Sequence, residues 1–185
     1  MAELTADLIL SLDGFAGGVD TAAFFGFSGP ELEGWVGDAL GRPHVVVMGR
    51  VTYEALAQIS ASATDAISTR MTELPKVVVS NTLQEPLTWP NTRLLRGGPA
   101  ELQSLKRQSA DPLRMIGSLR LLGSLLELGL VDTLRLIICP LLLGGDGREP
   151  AYAGYPRTGL DLTGTKVLDS RLVVLEYRPS GGQPG

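Results

Sequence analysis

The stretch His44-Val45-Val46-Val47-Met48-Gly49-Arg50-Val51-Thr52-Tyr53-Glu54 decides the fold. Its first half, His44–Met48, is a β-branched run bounded by Pro43 and Gly49, the pattern of a strand buried on both faces. The period then changes at once, and Thr52–Ile59 has helical spacing. A buried strand that runs directly into a helix is the repeating step of an α/β sheet.

The same step recurs on either side. Leu4–Leu12 reads as a strand ending at the Asp13-Gly14 turn, and Pro30 opens a helix that continues through Glu31–Leu40. Asp65–Leu74 reads as a helix, Lys76–Ser80 as a strand, Arg93–Leu95 as a weaker strand and Pro99–Gln108 as a helix. Leu113–Ile116 is a short strand before Gly117-Ser118, and Leu119–Leu128 is a helix stopped by Gly129. Asp132–Leu143 reads as one long apolar strand. Gly159–Asp169 and Arg171–Arg178 alternate around Asp169-Ser170, an antiparallel pair. The expected fold class is therefore α/β, a three-layer sandwich with a mostly parallel central sheet and a C-terminal antiparallel strand pair. Residues 1–179 are expected to form one domain, with 180–185 as a flexible tail.

Composition narrows the chemistry. The 185 residues are 44% hydrophobic with net charge −4, enough for a core and without the basic face that nucleic acid requires. Acids near the start and no long apolar run predict neither a secretory leader nor a membrane span, so a cytoplasmic protein is expected. One cysteine, Cys139, and one histidine, His44, cannot make a Cys/His zinc site, and no metal is expected. Cys139 lies in an apolar run and reads as a buried inert thiol; His44 reads as a local structural residue.

Three strand-to-helix junctions carry groups that bind anions. At Gly49-Arg50-Val51-Thr52 a glycine permits close backbone approach, while helix N–H groups, the Thr52 hydroxyl and the Arg50 guanidinium can hold phosphate. Ser80-Asn81-Thr82 offers small polar side chains, which equally make turns and caps. Gly117-Ser118-Leu119-Arg120 places a cation in a first helical turn, against the helix dipole unless an anion is near. Each junction alone also serves a plain turn; the set fits a dinucleotide with an extra phosphate.

In this order the pieces Ser11-Leu12-Asp13-Gly14-Phe15, Met48–Glu54, Val79–Leu83, Ile116-Gly117-Ser118 and Gly129–Leu136 resemble a known family. It comprises stand-alone bacterial proteins similar to the reductase domain of the riboflavin-biosynthesis deaminase–reductase, itself related to dihydrofolate reductase. The resemblance spans residues 4–178. It implies a dihydrofolate-reductase-like sheet, NADPH as hydride donor and a homodimer. Carried onto this chain, it implies that Gly49, Arg50 and Thr52 hold the pyrophosphate and adenosine end. Ser80, with Asn81 beside it, and Arg120 flank the 2′-phosphate. Gly117 and Ser118 pass beneath the cofactor, and the backbone near Ile9 and Ala16 meets the nicotinamide carboxamide. Two features depart from the pattern. Gly117-Ser118-Leu119 stands where the dihydrofolate reductase branch has three glycines, and Phe24-Phe25-Gly26-Phe27-Ser28-Gly29-Pro30 replaces the riboflavin enzyme's Trp-Ile-Thr substrate segment.

The activity so implied is NADPH-dependent reduction of a small pteridine- or pyrimidine-like heterocycle, similar to 5-amino-6-(5-phosphoribosylamino)uracil reductase. Dihydrofolate reductase itself, or a non-catalytic nucleotide-binding regulator that kept the cleft, are the alternatives. Reducing a C=N bond also needs a proton. Glu33 is the preferred source, with Glu31, in the same helix's first turn, and Asp13, in the loop after the first strand, as the other candidates.

Overall fold

A computed structural model describes residues 1–19 and 22–180. Eight strands form one sheet: β1 (Leu4–Ser11), β2 (Val45–Gly49), β3 (Lys76–Val79), β4 (Thr92–Leu95), β5 (Leu113–Ile116), β6 (Thr133–Cys139), β7 (Gly159–Leu168) and β8 (Leu172–Ser180). Their order is β4-β3-β2-β5-β1-β6-β8-β7, with β1 to β6 mutually parallel and β7 and β8 antiparallel to their neighbours. The helices are α1 (Pro30–Gly41), α2 (Arg50–Ser62), α3 (Ala66–Glu73), α4 (Gly98–Gln108) and α5 (Leu119–Glu127).

Strand periodicity sorts the core into two layers. Leu4, Ala6, Leu8 and Leu10 of β1 pack with Leu102 of α4 and with Leu122 and Leu125 of α5. On the other face, Val46, Met48 and Val78 pack with Leu40 of α1, Tyr53 of α2 and Met71 of α3. Ile137, Cys139 and Val174 on that face meet Leu32 of α1. This is the dihydrofolate-reductase-like sandwich expected, with the antiparallel pair at one edge. Asp169 and Ser170 both take left-handed backbone (φ 52° and 54°), as a tight hairpin connection requires.

Three boundaries differ most from expectation. The apolar run from Asp132 does not continue as a strand to Leu143, because β6 stops at Cys139. Pro140 has no N–H to give the sheet, and the chain turns there, Leu141 N–H donating to the Cys139 carbonyl at 2.8 Å. Leu142 consequently lies 67% exposed. The helix expected over Thr52–Ile59 begins earlier, at Arg50, and runs to Ser62. Ser180 is not tail but the end of β8, opposite Gly159; residues 181–185 lie outside the described part.

Because six strands are parallel, their carboxyl ends share one edge, where loop side chains and helix starts collect. β1 pairs with β5 only as far as Asp7↔Ile116, yet runs on through Leu8–Ser11 beside β6. The sheet therefore forks beyond Asp7, with Gly117-Ser118 on one limb and Leu8–Ser11 on the other.

Candidate active site

On one limb of the fork a staple joins the ends of β2 and β5. Gly49 N–H donates to Ser118 Oγ at 2.6 Å, and that oxygen lies 2.9 Å from Thr52 Oγ1. Gly117 (φ 60°) and Ser118 (φ 66°) are both left-handed. A Cβ on Gly117 would come within 3.1 Å of Thr52 Oγ1, so the close approach needs glycine as well as its φ. Gly49, Thr52, Gly117 and Ser118, read separately from the sequence, thus form one cluster. Its Ser118 hydroxyl faces Gly49, and α2 and α5 both begin without a side-chain cap. The free N–H groups of two helix starts face the same crevice, a ready site for phosphate oxygens. The Gly49 N–H itself is already bonded, so Gly49 contributes close approach rather than a donor.

The remaining phosphate candidates spread along the same edge. Arg50 is half exposed and pairs with Glu54 at 2.9 Å. Arg120 is exposed and, among the described residues, its side chain has no ion pair or hydrogen bond. Ser80 Oγ accepts the N–H groups of Thr82 and Leu83 at 3.2 Å, and Asn81 Oδ1 accepts from Gly97 N–H at 3.1 Å. These two residues make turns that join β3 to β4. Arg96 is held there too, its Nη1 donating to the Asn81 carbonyl at 3.4 Å and its Nη2 to the Leu83 carbonyl at 2.9 Å. Arg96 escaped the sequence reading, although Arg96-Gly97-Gly98 after a strand is the same kind of signal as Gly117-Ser118-Leu119-Arg120.

Near the other limb, Ile9 is half-buried and pairs with Ile137. Ala16 lies in the loop after β1, and its N–H is taken by the Glu149 carbonyl at 2.8 Å. That loop is strapped to the β6–β7 connection. Asp13 accepts from Ser11 Oγ at 2.6 Å, Gly144 N–H at 2.8 Å and Leu143 N–H at 3.2 Å. The Ser11 hydroxyl foremost, then the Gly144 amide, holds the Asp13 carboxyl below the usual carboxylate range. Asp13 thus ties the loop after β1 to the β6–β7 connection. A depression of about 550 Å³ lies beside this strap, lined by Ser11, Asp13 and Tyr152. A second, of about 370 Å³, lies at the opposite sheet edge around Lys76 and Arg93 and holds no candidate site residue.

The two acids of α1 separate cleanly. Glu31 accepts the Asp169 N–H, while the Asp169 carboxylate accepts the Glu31 and Leu32 N–H groups at 3.0 Å each. Glu31 is therefore a capping residue tied to the β7–β8 turn. Glu33 lies about 200° further round the helix. It shares the flank of Leu40, which packs on β2, and is exposed with no side-chain partner among the described residues.

A second feature of the site was also missed in sequence. Asp7, 5% exposed, meets Arg114 Nε at 2.5 Å and Arg135 Nη1 at 3.2 Å; Arg135 Nε meets Glu176 at 2.7 Å. The Trp35 ring of α1 covers both guanidiniums, at 6.0 and 5.4 Å. The signal was available, as a lone charge on the same face of each apolar strand: Asp7, Arg114 and Arg135. Cys139 is fully buried, and burial pushes its thiol up to about 11, as an inert core residue. No helix among the described residues is long and apolar enough to cross a membrane.

Fold and fork together define an α/β domain of the dihydrofolate-reductase-like class. The family model described as "RibD C-terminal domain" matches residues 2–174, and the chain belongs to that family of reductase domains. Among curated proteins it is 25% identical to the uncharacterized protein YyaP of Bacillus subtilis strain 168, over 95% of this chain and 94% of that one. Among solved structures it superposes on a protein assigned to riboflavin biosynthesis from Shewanella sp. PV-4 with a TM-score of 0.77. The identity there is 21%, over 97% and 99% of the two chains. It also matches the Acinetobacter baumannii RibD, with a TM-score of 0.72 and 19% identity, where it spans 58% of that longer chain. A deaminase/5-amino-6-(5-phosphoribosylamino)uracil reductase of Thermotoga maritima gives 0.68 and 14%, and the chain spans 57% of it. These likenesses establish the fold.

Proposed function

We propose that this protein is an NADPH-dependent reductase that transfers a hydride to a small pyrimidine- or pteridine-like heterocycle. The observation that carries the reading is the Ser118–Gly49 staple, which brings two uncapped helix starts to one crevice beside the fork. The reading agrees with the uracil reductase activity named for the Thermotoga relative.

NADPH, when bound, supplies the hydride. The chain's own residues do the rest. The first-turn N–H groups of α2 and α5, with Thr52 and Ser118 between them, hold the pyrophosphate. Arg120, free of any counter-ion among the described residues, takes the 2′-phosphate, with Arg50, Ser80 and Asn81 along the same edge. Leu8–Ser11, with Ile9 at its centre, and the strapped loop around Ala16 wall the nicotinamide end and exclude water. Glu33 delivers the proton at its carboxyl, from the flank of α1 nearest β2.

The protein acts in the cytoplasm, as a homodimer built on the β7 edge. Leu160, Leu162 and Val167 leave that strand 40%, 57% and 58% exposed, a surface a second copy would cover. Loss of absorbance at 340 nm on mixing protein, NADPH and a pyrimidinone or pteridine substrate tests the activity. Tight NADPH binding without turnover on any such ring would leave only a nucleotide-binding role. Light scattering at micromolar concentration that returned a monomer would refute the dimer.

A further inference from the structure

The loop after β1 and the β6–β7 connection together wall the depression of about 550 Å³ beside the Asp13 strap. Of the described residues that line it, Asp13 alone is charged, and most of the others are apolar, Leu12, Ile138 and Pro150 among them. Ile138 packs with the α4–α5 layer of the core, whereas Glu33 belongs to α1 in the other layer. The depression therefore lies across the sheet from the proton source.

Two recognition groups meet there. Asp13 is exposed, and the bonds that strap it come from neutral donors, the Ser11 hydroxyl and the Leu143 and Gly144 N–H groups. They fix the carboxylate in place without cancelling its charge. Tyr152 stands directly beside it. Gly14, left-handed at φ 84°, follows Asp13, and a Cβ on it would lie 3.6 Å from Tyr152 Cε2. The ring thus lies against the backbone next to the carboxylate. Tyr155 meets that ring edge-on with centroids 6.4 Å apart, yet Tyr152 stays 50% exposed.

The lining sorts the candidate occupants by charge. An anion would meet the Asp13 charge unopposed. A neutral apolar molecule would strip water from that carboxylate and return nothing. A metal ion needs several oxygen ligands, and the depression offers one carboxylate with three donors already on it. A bulky organic cation matches every wall. We propose that the depression binds an alkyl- or aryl-substituted ammonium, with its charge between Asp13 and the Tyr152 ring. Its carbon groups lie against Leu12, Ile138 and Pro150. Because Asp13 also holds Gly144, an occupant there tightens the strap. The site stands apart from the hydride-transfer reading and does not rest on it.

Choline is the probe, and 3,3-dimethylbutan-1-ol, which has carbon in place of the choline nitrogen, is the uncharged comparator. Titrated into the isotope-labelled protein without nucleotide, choline should shift the Gly14, Tyr152 and Ala153 amide resonances saturably. It should bind at least tenfold more tightly than the alcohol. Asp13→Asn, which keeps the shape and removes the charge, should weaken choline at least tenfold and leave the alcohol unchanged. Tyr152→Leu, which keeps an apolar wall and removes the ring, should weaken choline at least threefold. Should Asp13→Asn loosen the loop, Tyr152→Leu decides alone, because Tyr152 makes no side-chain hydrogen bond among the described residues. Equal binding of the two compounds, or undiminished choline binding in a folded variant, overturns the proposal. Shifts centred on other residues, or none that saturate, do the same.

Discussion

Glu31 and Asp169, 138 positions apart, cap each other: the Asp169 carboxylate takes the Glu31 N–H at 3.0 Å while the Glu31 carboxylate takes the Asp169 N–H. The exchange fixes the start of α1 against the β7–β8 hairpin, and Gly29 fits beneath it only because a Cβ there would run into the Asp169 carboxylate. It also gives Glu31 a structural role at the hairpin that Glu33 does not share. Glu31→Ala should cost about 1 kcal/mol, as losing a cap does, and leave turnover unaltered. Glu33→Gln should lower NADPH oxidation at neutral pH by at least ~10²-fold with NADPH affinity unchanged. The reverse pattern would place the reacting ring on the hairpin side of α1.

How much of this was legible in the sequence depends on how local the cause is. The buried strands show in runs such as Val45–Met48, which pack into the apolar core on both faces of the sheet. Helix starts show in Pro30 and Pro99. The end of β6 was misplaced because Leu141–Leu143 continue the apolar pattern, and only Pro140 marks the break. Gly49, Thr52, Gly117 and Ser118 were each visible as junction residues. That Ser118 bonds Gly49 across 69 positions was not, since nothing local states the sheet order β2-β5-β1. Glu33 was already preferred over the first-turn Glu31; what stayed hidden was that the partner capping Glu31 is Asp169.

The cofactor preference should fall mainly on one arginine. Arg50 already pairs with Glu54, whereas Arg120 has no partner among the described residues. A charge-assisted hydrogen bond is worth about 1.5–3 kcal/mol, so titration should show NADPH at least tenfold tighter than NADH. Arg120→Ala should erase most of that margin, and Arg50→Ala less of it. Equal affinity of the unaltered protein for both nucleotides would remove the 2′-phosphate site.

The Ser118 staple should matter to the cofactor more than to the fold. Ser118→Ala frees the Gly49 N–H, and Thr52 loses its 2.9 Å partner. NADPH affinity is expected to fall about tenfold, the equivalent of 1.4 kcal/mol. Undiminished affinity in a folded variant would show that the two helix starts hold their places without it.

At the opposite edge of the sheet, Lys76 is 1% exposed and donates to the Met71, Thr72 and Leu74 carbonyls at 2.7–2.9 Å, closing the end of α3. Its ammonium also lies 4.7 Å from the Trp89 ring centroid. Lys76→Met removes all three donors from a buried helix end, and each acceptor left unmade costs about 1–3 kcal/mol. Chemical denaturation should show a loss of at least ~2 kcal/mol, with NADPH affinity preserved in the folded fraction. A variant as stable as the unaltered protein would mean that water reaches those carbonyls.

The sole histidine gives the chain a defined acid limb. Burial, foremost, lowers the His44 pKa below its ordinary value of 6.5, and the nearby Arg114 and Arg70 charges act in the same direction. The folded state therefore holds fewer protons than the unfolded chain once pH falls below about 6.5, where an unfolded histidine titrates. Stability is complete above that pH and declines beneath it, with a slope of at most about 1.4 kcal/mol per pH unit. The carboxyls whose pKa values are lowered, Asp13 and Asp65, act in a lower window, because their unfolded partners titrate near pH 4. The decline between pH 6.5 and 5 thus belongs to His44, and denaturation midpoints across that range should flatten in His44→Gln. A slope that persists in that variant would assign the acid limb to another group and leave His44 accessible to protons in the folded state.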